Sequence, residues 1–317
     1  MVRNHKFQLA KFSLLTLPRL SVANLVLIVF LSMKNTPLAY LTAWSYDKIH
    51  ILHQIAGYTV MALVIIHGAC YSSYFMQTNN RARLLVHEEI YGMVAGGCFL
   101  TLVVAAAVVR LWWYELFYII HVSFFLISMV FLGLHQSDTA KKIFIGILLA
   151  AGLFFLDRII RFFRMVLYSV NNKATVYPLP NGGTRIVLRK APLAATSGAH
   201  CFVWIPGVRA LEMHPFTIAA MNPMEFVVNS YDGFTGDLHR YAVANPGGTL
   251  KASAEGPYGT FPEPMGYDKI IFIAGGSGAS FTFGMALNML KKMASDSTKT
   301  IIFVWIVRNQ GSSTLQT

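Results

Sequence analysis

Residues 49–80, 90–109 and 116–137 of this sequence contain no Lys, Arg, Asp or Glu. As helices, apolar runs of about 20 residues cross the roughly 30 Å hydrocarbon core of a bilayer, so each run predicts a membrane span. Two shorter apolar runs, residues 20–33 between Arg19 and Lys34 and residues 143–156 between Lys141/Lys142 and Asp157/Arg158, are candidate spans with help from flanking side chains that reach the interface. Composition agrees, since 55% of the 317 residues are hydrophobic and only 13% charged, more apolar than a soluble core requires. A cleaved signal peptide is a poor account of the first run, because no small-residue cleavage site stands out and further spans follow.

Two of the uncharged spans carry a histidine pair at one spacing. "HQIAGYTVMALVIIH" runs from His53 to His67, and "HVSFFLISMVFLGLH" from His121 to His135. An ionisable ring in hydrocarbon is costly and points to a function. Fourteen helical steps fall about 40° short of four whole turns, so both rings of a pair share one face, while the rise of roughly 21 Å separates them toward opposite sides of the bilayer. The two rings of one helix therefore do not meet on a common metal. If the span 90–109 returns the chain, the histidine helices run parallel, His53 lies level with His121, and His67 with His135. Two facing imidazole pairs form the axial ligand set of two six-coordinate haems, which we call inner (His53, His121) and outer (His67, His135). The alternative for any one of these rings is a hydrogen-bonded structural histidine. His200 and His214 are also fourteen apart, but Pro206 and Gly207 interrupt any helix between them.

From about Asn171 the texture changes to short β-branched runs broken by Gly and Pro, as in "YPLPNGGTRIVLRK" and "AHCFVWIPG", which predict strands and turns. After Asp268 the order is a strand, "KIIFIA", a glycine turn, "GGSGAS", an apolar helix through about Lys292 and a second strand, "TIIFVWIVRN", hence a βαβ unit. The turn lacks the G-x-G-x-x-G dinucleotide fingerprint. Cys70, Cys98 and Cys201 stand at neither metal-ligand nor disulfide spacing and are read as packing residues. The net charge of +12 suits an anionic cytoplasmic leaflet and polyanionic cofactors, and no nucleic-acid motif is present.

The strings "LSVANLVLIVFLSMKNTPLAYLTAWSYDKIHILH", both histidine pairs, "HPFTIA" (His214–Ala219), "EGPYG" (Glu255–Gly259), "IAGGSGAS" and "FVWIVRN" together resemble the ferric reductase transmembrane components of fungi, within the ferric reductase and NADPH oxidase superfamily. The resemblance covers nearly the whole chain. It implies a multi-domain fold: an α-helical transmembrane bundle with two bis-His haem sites over residues 12–165, an antiparallel β-barrel that binds FAD over 171–266, and a truncated α/β NADPH-binding domain over 267–317. Phe216 is implied to pack near the flavin, Thr217 to offer its hydroxyl near N5 as the catalytic contact, and His214 to approach the phosphates, with Pro215 fixing the backbone. Gly256 and Gly259 of "EGPYG" are implied flavin contacts. Gly275, Gly276, Ser277 and Gly278 are assigned to NADPH, whose pyrophosphate the glycines would let approach the positive N-terminus of the following helix.

The resemblance further implies electron transfer from cytosolic NADPH through FAD and two haem b groups to an extracellular ferric or cupric chelate, in a multi-pass protein of the plasma membrane in contact with lipid. An NADPH oxidase that makes superoxide and a non-catalytic haem-binding subunit are alternative readings. Two positions depart from the family, which often has a basic residue where Gln54 and Gly236 stand here. The family's C-terminal half of the NADPH domain would lie beyond Thr317, so weak NADPH-driven reduction is expected of this chain. Arg158, Arg161, Arg164 and Lys173 place the end of the last span in the cytosol. Counting back five spans puts the N-terminus outside, whereas Arg3, Lys6, Lys11 and Arg19 favour the cytosol. A further upstream span, or a first segment that does not cross, would reconcile the two.

Overall fold

The structure, a computed structural model, describes residues 2–34, 37–42, 46–136, 141–259, 266–293 and 299–307. The side chains of Arg3, Lys6 and Lys11 and the end of the last predicted strand, Arg308 and Asn309, lie outside the described residues. The chain forms two compact units, Met1–Arg158 and Ile159–Thr317.

The first unit is helical: α1 (Val2–Ser32), α2 (Pro37–Thr42), α3 (Tyr46–Gln77), α4 (His87–Val104), α5 (Arg110–Trp112), α6 (Tyr114–Leu134) and most of α7 (Lys141–Ser169). A 3-10 turn, Arg81–Leu85, links α3 to α4, and a π turn, Ala105–Val109, joins α4 to α5 without breaking the span. Glu88 and Glu89 occupy the first turn of α4, where carboxylates complement the helix dipole. Trp113, at φ −148° and ψ 89°, leaves helical geometry and separates α5 from α6.

Four helices among the described residues are long and apolar enough to cross a membrane: Lys48–Gln77, His87–Trp112, Tyr114–Leu134 and Lys141–Ser169. The predicted run 20–33 falls in the shorter apolar helix Thr16–Ser32. The predicted run 143–156 grows into a longer helix, because the charged Asp157–Arg164 stretch keeps helical geometry to Ser169. The bundle core draws Val22, Leu25 and Val29 from α1, Val60 from α3, Phe99 and Leu102 from α4, Met129 from α6, and Ile147 and Ala150 from α7. Large apolar side chains such as Ile55, Ile65, Leu100 and Ile145 point outward, as lipid-facing positions do.

The second unit begins with the end of α7 and continues as a curled antiparallel sheet. Its strands are β1 (Lys173–Leu179), β2 (Gly183–Leu188), β3 (His200–Trp204), β4 (His214–Ala220), β5 (Met224–Asn229), β6 (Gly248–Lys251) and β7 (Ser253–Tyr258), with α8 (Phe234–Ala244) between β5 and β6. The spatial order β6-β1-β2-β5-β4-β3-β7 leaves β6 and β7 at the two ends. These two are consecutive in sequence and joined through Ala252 alone, so one bent stretch pairs with β1 on one side and with β3 on the other. Inside lie Val176, Ile186, Leu188, Cys201, Val203, Ile218 and Phe226, with Phe234 and Leu238 from α8.

A βαβ unit follows, as the glycine turn predicts. β8 (Lys269–Gly275) and β9 (Thr300–Ile306) pair in parallel, with the crossover α9 (Ala279–Lys292) between them. Phe272, Ala286 and Met289 form its buried core.

Candidate functional site

α3 and α6 bring the four span histidines into two facing pairs. The ring centres of His53 and His121 are 6.4 Å apart, and those of His67 and His135 also 6.4 Å. Two imidazoles on one iron, bonded at about 2 Å with each ring centre about 1 Å behind its nitrogen, have centres about 6 Å apart, so both pairs have the spacing of a haem's axial ligands.

One ring of each pair is anchored by a backbone carbonyl. His53 Nδ1 donates to the Ile28 carbonyl of α1 at 3.0 Å, and His135 Nδ1 donates to the Glu88 carbonyl of α4 at 2.7 Å. A carbonyl only accepts, so Nδ1 carries the proton and Nε2 keeps the lone pair that a metal needs. Gly92 makes room for the outer pair, because a Cβ there would stand 2.6 Å from the His135 ring.

Beside the outer pair is a cavity of about 240 Å³ with apolar lining from Val60, Val64 and Leu132 and polar lining from Arg83, Glu88 and Glu89. Glu89 is buried at 6% exposure; it accepts from the Tyr71 hydroxyl at 2.7 Å and faces Arg83 Nη2 at 3.3 Å. An apolar slot beside two facing imidazoles fits the apolar macrocycle of a haem, and Arg83 shares its polar end with Glu88 and Glu89. Neither the carbonyl anchors nor this triad has a sequence signature. Only the two glutamates set directly before an uncharged span hint at the second.

In the second unit, the register of β3 with β4 settles which way the "HPFT" side chains point. Val203 lies opposite His214 and Cys201 opposite Phe216, whereas Phe202 lies opposite Pro215 and His200 opposite Thr217. Residues directly opposite share a face. His214 and Phe216 therefore share the core-side face of Val203 and Cys201, and their rings stack with Phe234 of α8, His214 at 4.6 Å. Thr217 lies on the other face with His200 and Phe202, and Tyr258 of β7 sits opposite His200.

His214 Nε2 is 3.0 Å from Glu212, which Arg209 also engages at 2.6 Å while reaching Asp237 at 2.8 Å. The Arg209 hydrogen bonds hold the Glu212 and Asp237 carboxyls below their usual range, with His214 adding to the effect on Glu212. At Gly236 a Cβ would stand 2.5 Å from the Tyr231 carbonyl, so that close approach requires glycine there.

"EGPYG" is the end of β7 and the residue after it. Glu255, 1% exposed, meets Arg161 Nε at 3.4 Å and Arg164 Nη1 at 4.0 Å, both from the last turns of α7, and accepts from the Tyr258 hydroxyl. The Arg161 guanidinium lies 5.6 Å over the Phe202 ring. Burial, reinforced by the Glu255 charge, pushes the Cys201 thiol up to about 12, and the same two causes raise the Tyr258 phenol. At Gly256 a Cβ would stand 2.9 Å from Cys201 Sγ, so the close approach of β7 to β3 requires glycine there. Gly259 follows at φ +104°.

Gly275 ends β8, and Gly276, Ser277 and Gly278 form the 3-10 turn at the N-terminus of α9. Among the described residues a Cβ on any of these three glycines would meet nothing within 4 Å, which leaves room for a ligand beside the turn. Trp305 Nε1 of β9 donates to the Gly276 carbonyl at 2.9 Å and fixes the turn.

Comparison with known proteins finds relatives for both units. Three protein-family models match consecutive stretches: a ferric reductase like transmembrane component at residues 17–132, an FAD-binding domain at 168–261 and a ferric reductase NAD binding domain at 267–316. Along nearly its whole length the chain is similar to ferric reductase transmembrane components. Ferric reductase transmembrane component 4 of Saccharomyces cerevisiae is 26% identical over 96% of this chain and 43% of its own length. The yeast ferric/cupric reductase transmembrane component 2 is 25% identical over 91% and 42%. Ferric reduction oxidase 3, mitochondrial, of Arabidopsis thaliana is 28% identical over 87% and 39%. The chain thus spans less than half the length of these relatives. Among solved structures, a ferredoxin reductase in carbazole 1,9a-dioxygenase matches with a TM-score of 0.37 at 21% identity, over 45% of this chain and 44% of that one.

Proposed function

We propose that this protein is a ferric reductase that moves electrons across a membrane, from cytosolic NADPH to a ferric or cupric chelate on the far side. The observation that carries the proposal is the pair of histidine pairs, each 6.4 Å between ring centres, at two levels of one helical bundle. Bound haem and flavin supply the electron-carrying chemistry, and this chain's residues bind and orient them. His53 with His121 hold the inner haem b and His67 with His135 the outer one, all as neutral imidazoles. The Ile28 and Glu88 carbonyls fix which nitrogen is free, and Arg83 beside the outer cavity offers a cation to a propionate.

The FAD is assigned to the β-barrel, 171–266, where His214, Pro215, Phe216, Thr217, Gly256 and Gly259 would line it and the Thr217 hydroxyl would donate near N5. NADPH is assigned to 267–317, with its pyrophosphate at Gly275, Gly276, Ser277 and Gly278, supported by the room beside that turn and the N-terminus of α9. The haem domain is taken as 12–165. The outward apolar side chains of the bundle face lipid, and the cationic end of α7 favours a plasma-membrane orientation with the flavin side cytosolic.

The test is haem and flavin content of the purified chain, followed by reduction of a membrane-impermeant ferric chelate by cells or oriented vesicles that contain it. Two haem b per chain are expected, one lost in a His67→Ala/His135→Ala variant, with chelate reduction insensitive to superoxide dismutase. Full haem retention in the double variant refutes the ligand assignment, and suppression by the dismutase gives the oxidase reading instead.

A further inference from the structure

We infer that His50 is a positioning residue that sets the plane of the His53 imidazole, making the inner haem electronically distinct from the outer one. The inference rests on the haem reading above and goes beyond it, since His50 belongs to neither ligand pair.

His50 and His53 stand three positions apart on α3 and leave the same face of the helix. Their ring centres are 5.2 Å apart and their planes only 9° from parallel, an offset stack. His53 is thereby held in two ways. Its Nδ1–H bond to the Ile28 carbonyl fixes which nitrogen is offered to a metal. The flat face of His50 opposes rotation of the ring about the line from ring to metal.

Among the described residues the outer pair has no such support. The ring beside His67 is Tyr71, 5.6 Å away and tilted by 40°, with its hydroxyl committed to Glu89. On the opposite side of the inner pair, the ring beside His121 is Phe117, also tilted, by 49°. Among these neighbours only His50 lies flat against a ligand.

Orientation matters because each axial imidazole raises the iron d orbital that its π system overlaps. The angle between the two ring planes therefore governs how far the two π-type d orbitals split. As the planes turn from parallel toward perpendicular, the splitting closes and the largest g value of the ferric low-spin haem rises. The planes stand at 59° in the inner pair and 68° in the outer pair. A His53 ring free to turn would sample other angles, which shifts and broadens the inner signal alone.

Low-temperature electron paramagnetic resonance of the oxidised full chain tests this, with His50→Leu and His50→Phe examined both alone and with His67→Ala to isolate the inner signal. In His50→Leu the inner haem's largest g value should move and its line broaden, while the outer signal stays in place. His50→Phe, which restores a flat ring without nitrogens, should return the parent signal. The inference is overturned if His50→Leu leaves both signals unchanged, if His50→Phe behaves like His50→Leu, or if both variants lose the inner haem from the optical spectrum. An unsubstituted chain without two low-spin signals would instead refute the haem reading itself.

Discussion

Removing the Glu255 carboxylate should loosen the flavin barrel more than its single position in β7 suggests. The carboxylate is 1% exposed and faces Arg161, whose side chain is 16% exposed, together with Arg164 and the Tyr258 hydroxyl. Glu255→Ala removes the buried carboxylate that two guanidinium groups and a phenol share. Breaking a buried pair from one side costs about 3–5 kcal/mol, and the partial exposure of Arg161 argues for the lower end, about 3 kcal/mol. At about 1.4 kcal/mol per decade, the open population of the barrel should rise roughly a hundredfold.

Glu255→Gln keeps an acceptor oxygen and should cost less, about 1–3 kcal/mol. A Glu255→Met/Arg161→Met pair, which removes the closer ion pair and leaves Arg164, should recover part of the loss. The assay is amide hydrogen exchange across β3 and β7 in the detergent-solubilised full chain. The Cys201 thiol gives a second readout: its pKa of about 12 should fall in Glu255→Gln, because the Glu255 charge adds to burial in raising it. Exchange in Glu255→Ala within about twofold of the parent, equivalent to under about 0.5 kcal/mol, would refute the reasoning.

Gly92→Ala should lower occupancy of the outer haem while sparing the inner one, since its Cβ would stand 2.6 Å from the His135 ring; Gly152→Ala, which meets nothing within 4 Å, should retain both haems by optical quantitation. The loop before β4 should weaken in acid. Glu212 and Asp237 titrate below their unfolded values, so their contribution is complete above about pH 4 and is lost as pH falls through the folded values. Thermal melts between pH 5 and 3 should therefore fall less steeply in Arg209→Met than in the parent, and parallel curves would exclude this network as the cause.

The histidine spacing was legible because helical geometry turns a separation of fourteen into a shared face and a fixed rise. The same arithmetic put His53 level with His121 and His67 level with His135. The glycine turn of "GGSGAS" likewise announced β8, α9 and β9, because the change from a strand run to a helical run is local. What stayed hidden depends on residues far apart. Arg161 and Arg164 read as cationic flanks of a span, yet their carboxylate is Glu255, 94 residues on from Arg161. α8 was missed because "FTGDLHRYAVA" has a glycine in its first turn and a short apolar face, whose burial depends on the barrel beneath it. The string "HPFT" carries no sign of which side chains share a face, because the register against β3 sets that.

The junction at Ala252 ties the two ends of the barrel to one another. Because β6 and β7 are joined through a single residue, sliding β6 along β1 by one position feeds that shift directly into β7 against β3. Side chains alternate between faces, so such a slip exchanges inside for outside. Glu255 would then come opposite Val203, a residue of the apolar interior, in place of Ala254. The penalty for misalignment at one edge is thus levied at the other as well. An assembling chain has two distant checks on a single alignment, and the short four-residue pairing of β6 inherits its accuracy from the buried carboxylate across the barrel.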